Sequence, residues 1–159
     1  METMEGHGRW QRLQDSERDL LWGLIESELR FQPYLNPKIN SAELILDVKR
    51  ICADFLNYSD AVDFIHRELK GIIDGNEIYT VANLLDWRHA DFKLRIESDF
   101  RFSCLIDFPA NGDYVFLLLN DVSNVIFSDG VDGFLYFFGE SLAREVRENS
   151  KLAPYIIQQ

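Results

Sequence analysis

The chain has 159 residues, 47% of them hydrophobic and 13% aromatic, with a formal net charge of −11. That length suits one domain around a single core, and this apolar content excludes intrinsic disorder. No apolar run approaches the roughly 20 residues that cross a bilayer, and the excess of acid opposes binding to nucleic acid or anionic membrane.

The N-terminal METMEGHGRWQRLQDSERD is polar and has no apolar signal core, so residues 1–14 read as a mobile tail on a cytoplasmic protein. Ser16 and Asp19 have capping-box spacing, which predicts a helix from there to about Leu29 with Leu21, Leu24, Ile25 and Leu29 on one stripe. Pro33 and Pro37 mark the connector FQPYLNPK, because the residue before a proline is pushed out of the helical region. Asn40 with Glu43 predicts the start of a second helix, in which Leu44, Ile45, Val48, Ile51, Cys52, Phe55 and Leu56 follow a 3.6-residue period. Ser59 is expected to cap a third helix carrying Val62, Ile65, Leu69 and Ile72, terminated at Asp74-Gly75-Asn76.

From about Phe92 the period changes to two. Phe92, Leu94 and Ile96 alternate with Lys93, Arg95 and Glu97, as in a strand with one wet face. Phe100, Phe102, Cys104, Ile106 and Phe108 form a second such row, and Asn111-Gly112 is a hairpin signal, since both residues tolerate positive φ. Tyr114 to Leu119, YVFLLL, is apolar on both faces and predicts a central strand covered on one side by helices. Strands over Val122–Phe127 and Phe134–Phe138 follow, separated by the turn SDGVDG, and then a short helix from about Glu140 to Glu148, which Pro154 prevents from continuing. The expected fold is therefore α+β and a single domain over residues 1–159. It has a helical half at 15–74 packed on one face of a mostly antiparallel sheet of about five strands at 90–138, and a C-terminal helix at 139–150.

The chemistry-bearing motifs are few. No G-x-S-x-G, phosphate-cradling glycine loop, H-E-x-x-H, Cys-x-x-Cys or dinucleotide fingerprint is present, so neither a cofactor nor a metal is expected. Cys52 and Cys104 both fall on apolar faces and read as buried, reduced thiols. His7 lies in the tail, and His66 borders the third helix's apolar stripe, a packing position. His89 stands between Asp86 and Asp91 and could form a carboxylate–imidazole pair or contribute to a metal site. A strand would put Asp91 beside His89 but turn Asp86 away, and a helix would do the reverse. The more economical reading is that Asp86 or Asp91 terminates a preceding element and Trp87 covers the sheet edge, with an enzyme of dispersed residues around His89 as the alternative.

The acidity is uneven. Residues 109–138 carry Asp113, Asp121, Asp129 and Asp132 and no Lys or Arg. Asp129 and Asp132 lack the alternating acids and distant Glu of a calcium loop, so all four read first as turn residues. Gathered at one end of the sheet they would form an anionic rim that suits a basic protein partner, whereas the bland reading is solubility alone.

The order of features from Asp86 to Phe138, a DWRHAD lead-in, alternating strands and then FLLLNDVSNVIFSDG, resembles the small bacterial immunity proteins encoded beside polymorphic toxins. The resemblance implies a non-enzymatic inhibitor that binds one toxin domain. A basic, nuclease-like toxin would fit the charge, and a structural or regulatory subunit that oligomerises through aromatic surface is the remaining alternative class.

Overall fold

The computed structural model describes residues 11–30, 42–73, 77–83, 92–95, 114–120, 123–129 and 133–157. In chain order the elements are β1 (Gln11–Arg12), α1 (Asp15–Glu28), β2 (Leu44–Asp47), α2 (Val48–Ala53), α3 (Tyr58–Ile73), β3 (Glu77–Asn83) and β4 (Phe92–Arg95). β5 (Tyr114–Leu119), β6 (Val125–Asp129), β7 (Phe134–Phe138), α4 (Glu140–Glu148) and a 3-10 turn (Ala153–Tyr155) complete them. The architecture is α+β as expected. The seven strands form one sheet in the order β1-β4-β3-β5-β6-β7-β2, and every neighbouring pair is antiparallel.

Three of those strands, β1, β2 and β3, precede residue 90, where the expected sheet begins. Gln11 and Arg12 pair with Lys93 and Phe92, and Leu13 is buried, so residues 11–14 are part of the fold rather than a tail. The larger correction is at residues 44–47. The expected long second helix is instead strand β2 followed by the short α2. Leu44, Leu46 and Val48 satisfy a period of two as well as they fit the helical stripe. Pairing of Leu44 to Asp47 with Phe137 to Phe134 settles the choice for strand. Asp47 then caps α2, its carboxylate accepting from the Arg50 backbone N–H at 3.2 Å.

Helices cover both faces of the sheet, not one. β5 explains why: Val115 to Leu119 are all buried, and alternate side chains enter different clusters. Val115, Leu117 and Leu119 pack with Ile126, Leu135, Phe137 and the apolar sides of α2, α3 and α4. Phe116 and Leu118 pack with Val125, Phe127, Phe138 and α1. A strand with two dry faces requires two covers. On the α1 side the register aligns Phe116, Phe127 and Tyr136 across three strands, with ring centroids 4.5 and 5.7 Å apart. Trp22 of α1 sets its ring edge-on to Phe116 at 6.2 Å.

Local signals acted close to where they were expected. α1 begins at Asp15 without a side-chain cap, so Ser16 lies in its first turn, and Trp22 takes the buried place expected of Leu24. Asn57 is the residue that receives the start of α3, accepting from the Asp60 N–H at 2.9 Å and the Ser59 hydroxyl at 2.8 Å. β3 was not expected from sequence, although Ile78, Thr80 and Val81 are good strand residues. Its buried Thr80 donates to the Phe116 carbonyl at 3.2 Å. The strand at 100–108 and the Asn111-Gly112 hairpin lie outside the described residues. Among the described residues β5 lies between β3 and β6.

Candidate functional site

β6 ends at Asp129, one of the four acids of the expected anionic rim. The register sets Asn83, Tyr114, Asp129, Phe134 and Asp47 in one row across five strands. Asp129 therefore shares its row with Asp47, an acid that sequence reasoning had placed inside a helix. Asp113, Asp121 and Asp132 lie outside the described residues.

The two ends of the sheet act separately. Asn120 and Ser123, the described residues that bracket Asp121, belong to the turn at the far end of β5 from Tyr114. Six residues of strand span about 17 Å at roughly 3.3 Å per residue. That exceeds the screening length of about 8–10 Å at ordinary ionic strength. Charges at the two ends therefore add little to each other's field.

Tertiary structure also brings in a counter-charge invisible to a count along the chain. Lys49 of α2 lies over Gly133, so closely that a Cβ there would come within 2.7 Å of its Cγ and Cε. Gly133 adopts φ +76°, and its carbonyl accepts from the Val48 N–H at 3.0 Å. The base-free stretch 109–138 thus has a lysine beside it. α1 carries Asp15, Glu17, Asp19, Glu26 and Glu28 against Arg18 alone, and Arg18 reaches Asp15 at 3.5 Å and Asp19 at 3.7 Å. Glu26 and Glu28 stand near the helix C-terminus, where carboxylates oppose the helix dipole.

At the far end, a cleft of about 270 Å³ opens between Gly71 and Ile72 of α3, Asn124 of the β5–β6 turn, and Ser141 and Glu145 of α4. The Ser141 hydroxyl donates to Asn124 Oδ1 at 3.2 Å, which commits its single proton. The turn is fixed by Gly139, at φ +108°, where a Cβ would lie 2.3 Å from the Ser123 carbonyl oxygen. No glycine signal in the sequence announced this cleft, since it joins three elements far apart in the chain.

Among the described residues no three His, Cys, Asp or Glu side chains are grouped to hold a metal ion, and no helix is long and apolar enough to cross a membrane. His7, His89, Asp86, Asp91 and Cys104 lie outside the described residues. His66 is half-buried on α3. Burial pushes the Cys52 thiol up, keeping it protonated and a poor nucleophile at neutral pH. Tyr155 is also raised, first by donating its hydroxyl to Asp54 Oδ2 at 2.6 Å, then by burial and the Asp54 charge, with Arg50 opposing. That bond ties the 3-10 turn to the end of α2.

No family model matches the chain, and no curated protein or solved structure matches it.

Proposed function

We propose that this protein is a non-enzymatic acidic binding module that neutralises a basic protein in the cytoplasm, in the manner of a bacterial immunity protein acting on a nuclease-like toxin. The observation that carries the reading is the distribution of charge: a net −11 in which 109–138 holds four acids and no base of its own. Complementary charge raises association rates and suppresses wrong partners, which suits a protein that must capture a toxic basic domain quickly. The row containing Asp129 and Asp47 is the proposed rim, with Asp113 and Asp132 next to it in sequence, and Asp121, which follows Asn120 at the other end of β5, is a separate acidic point.

The test is capture of partners from the source cell's lysate at low salt and at about 0.15 M, followed by kinetics on charge variants. Replacing Asp121, Asp129 and Asp132 together by Asn is expected to slow association and flatten its salt dependence. The thermal midpoint should barely move, because charges at strand ends and turns contribute little to folding. Neutralising Glu17, Asp19 and Glu26 on α1 is the control. If that variant weakens binding and the sheet variant does not, the interface lies on α1. If neither matters and no basic partner is recovered, the acidity serves solubility and the reading fails.

A further inference from the structure

The expected second helix places Leu56 on its apolar stripe, whereas the structure turns it outward. α2 stops at Ala53, and the Asp54 and Phe55 N–H groups donate to the Ile51 and Cys52 carbonyls at 3.1 and 3.3 Å. The tightened turn sends Phe55 inward, its ring 5.3 Å from that of Phe64. It leaves Leu56 fully exposed and Tyr58 half-exposed. Among the described residues only three large hydrophobic side chains are exposed, and two of them are these. A lone exposed leucine is ordinary, but a fully exposed one beside an exposed tyrosine makes an apolar point suited to contact with another molecule.

The turn is held from both sides. Asn57 Oδ1 accepts from the Asp60 N–H at 2.9 Å and from the Ser59 hydroxyl at 2.8 Å, and Asp54 Oδ2 accepts from the Tyr155 hydroxyl at 2.6 Å. Ordering it on binding therefore costs little. Its charge is one-sided: between Arg50 and Arg67 the chain carries Asp54, Asp60 and Asp63 and no Lys or Arg. Asp60 and Asp63 are exposed. Arg50 is turned to the C-terminal segment, donating to the Pro154 carbonyl at 3.0 Å and lying 5.8 Å from the Tyr155 ring centre. Only α2, about 9 Å of helix, separates this turn from Asp47 in the rim row. A standard interface covers about 800 Å² of each partner, a patch roughly 30 Å across, so one partner can reach both.

We propose that Leu56 and Tyr58 are the apolar anchor of the docking surface, entering an apolar pocket ringed by Lys and Arg on the basic protein partner; the inference rests on the binding function proposed above. The acids on either side of Leu56 select a basic surround. Apolar burial at the anchor supplies the slow dissociation that exposed charge does not. A second copy of this chain does not fit the same requirement, because it carries the same net −11.

The experiment uses the full chain and, as probe, the basic protein that the parent chain retains from the source cell's lysate at about 0.15 M salt, purified for kinetics. Leu56→Ser should raise the dissociation rate at least about tenfold, with the association rate and its salt dependence within about twofold of the parent. The variant neutralised at Asp121, Asp129 and Asp132 should do the reverse, slowing association. Leu20→Ser, at an exposed leucine on α1, should change neither rate. The thermal midpoint of Leu56→Ser should stay within about 2 °C of the parent, because the side chain is already in water. An unchanged dissociation rate in Leu56→Ser overturns the anchor and leaves the charge-based reading standing, as does an equal effect from Leu20→Ser. A dimer in sedimentation that Leu56→Ser dissolves assigns the turn to a second copy and also overturns it. If the parent retains no basic protein, the binding reading and the anchor fall together.

Discussion

Replacing Trp22 by alanine tests whether α1 is a packed layer or merely rests on the sheet. Trp22 is 4% exposed and stands edge-on to Phe116, beside Leu21, Ile25 and Leu29 of its own helix. Removing a buried aromatic side chain costs about 3–5 kcal/mol from lost transfer energy and the cavity left behind, of which the ring pair itself accounts for about 0.5–1.5. Against a typical total of about 5–15 kcal/mol the variant should remain folded, with a thermal midpoint lower by about 6–20 °C for a chain of this size. Leu20, two residues earlier and 65% exposed, supplies the contrast. Leu20→Ala should change stability by no more than about 0.5 kcal/mol. The assay is urea unfolding followed by far-ultraviolet and near-ultraviolet circular dichroism. A reduced slope in Trp22→Ala would mean that α1 has already left the sheet in the native state. Equal effects from the two substitutions, or a loss below about 1 kcal/mol at Trp22, would refute the packing described for this face.

Two glycines should respond in opposite directions. A Cβ at Gly23, inside α1, meets nothing within 4 Å, so Gly23→Ala should stabilise by about 0.5–1 kcal/mol in thermal melts. Gly139→Ala should cost at least about 2 kcal/mol, because it combines positive φ with a backbone clash at Ser123. Tyr155 predicts an alkaline limb. Its folded value lies above the ordinary 10.0, so its contribution is complete below that pH and is lost as pH rises through the folded value. The urea midpoint of the parent protein should therefore fall in that range, and Tyr155→Phe should flatten the fall.

Much of this fold was legible in local pattern. The helices α1, α3 and α4 and the two-sided YVFLLL strand form where their periods place them, although Leu24, Val62 and Ile72 are only half-buried and Trp22, Ala61, Phe64 and Ile73 are buried beside the expected residues. Those elements are long enough, or one-sided enough, for a single period to fit. Leu44 to Asp47 is not: four residues fit both a helix and a strand, and only the distant partner Phe134–Phe137 decides between them. The same holds for β3, whose place between β4 and β5 is a long-range pairing, and for the two-sided helical cover, which follows from a sheet dry on both faces. The candidate site divides in the same way. The acids of 109–138 can be read along the chain, but the row that joins Asp129 to Asp47 and the approach of Lys49 to Gly133 cannot. Periodicity and charge counts report on neighbours in sequence, whereas strand partners and counter-charges are neighbours in space, chosen by which long-range pairings bury the most apolar surface.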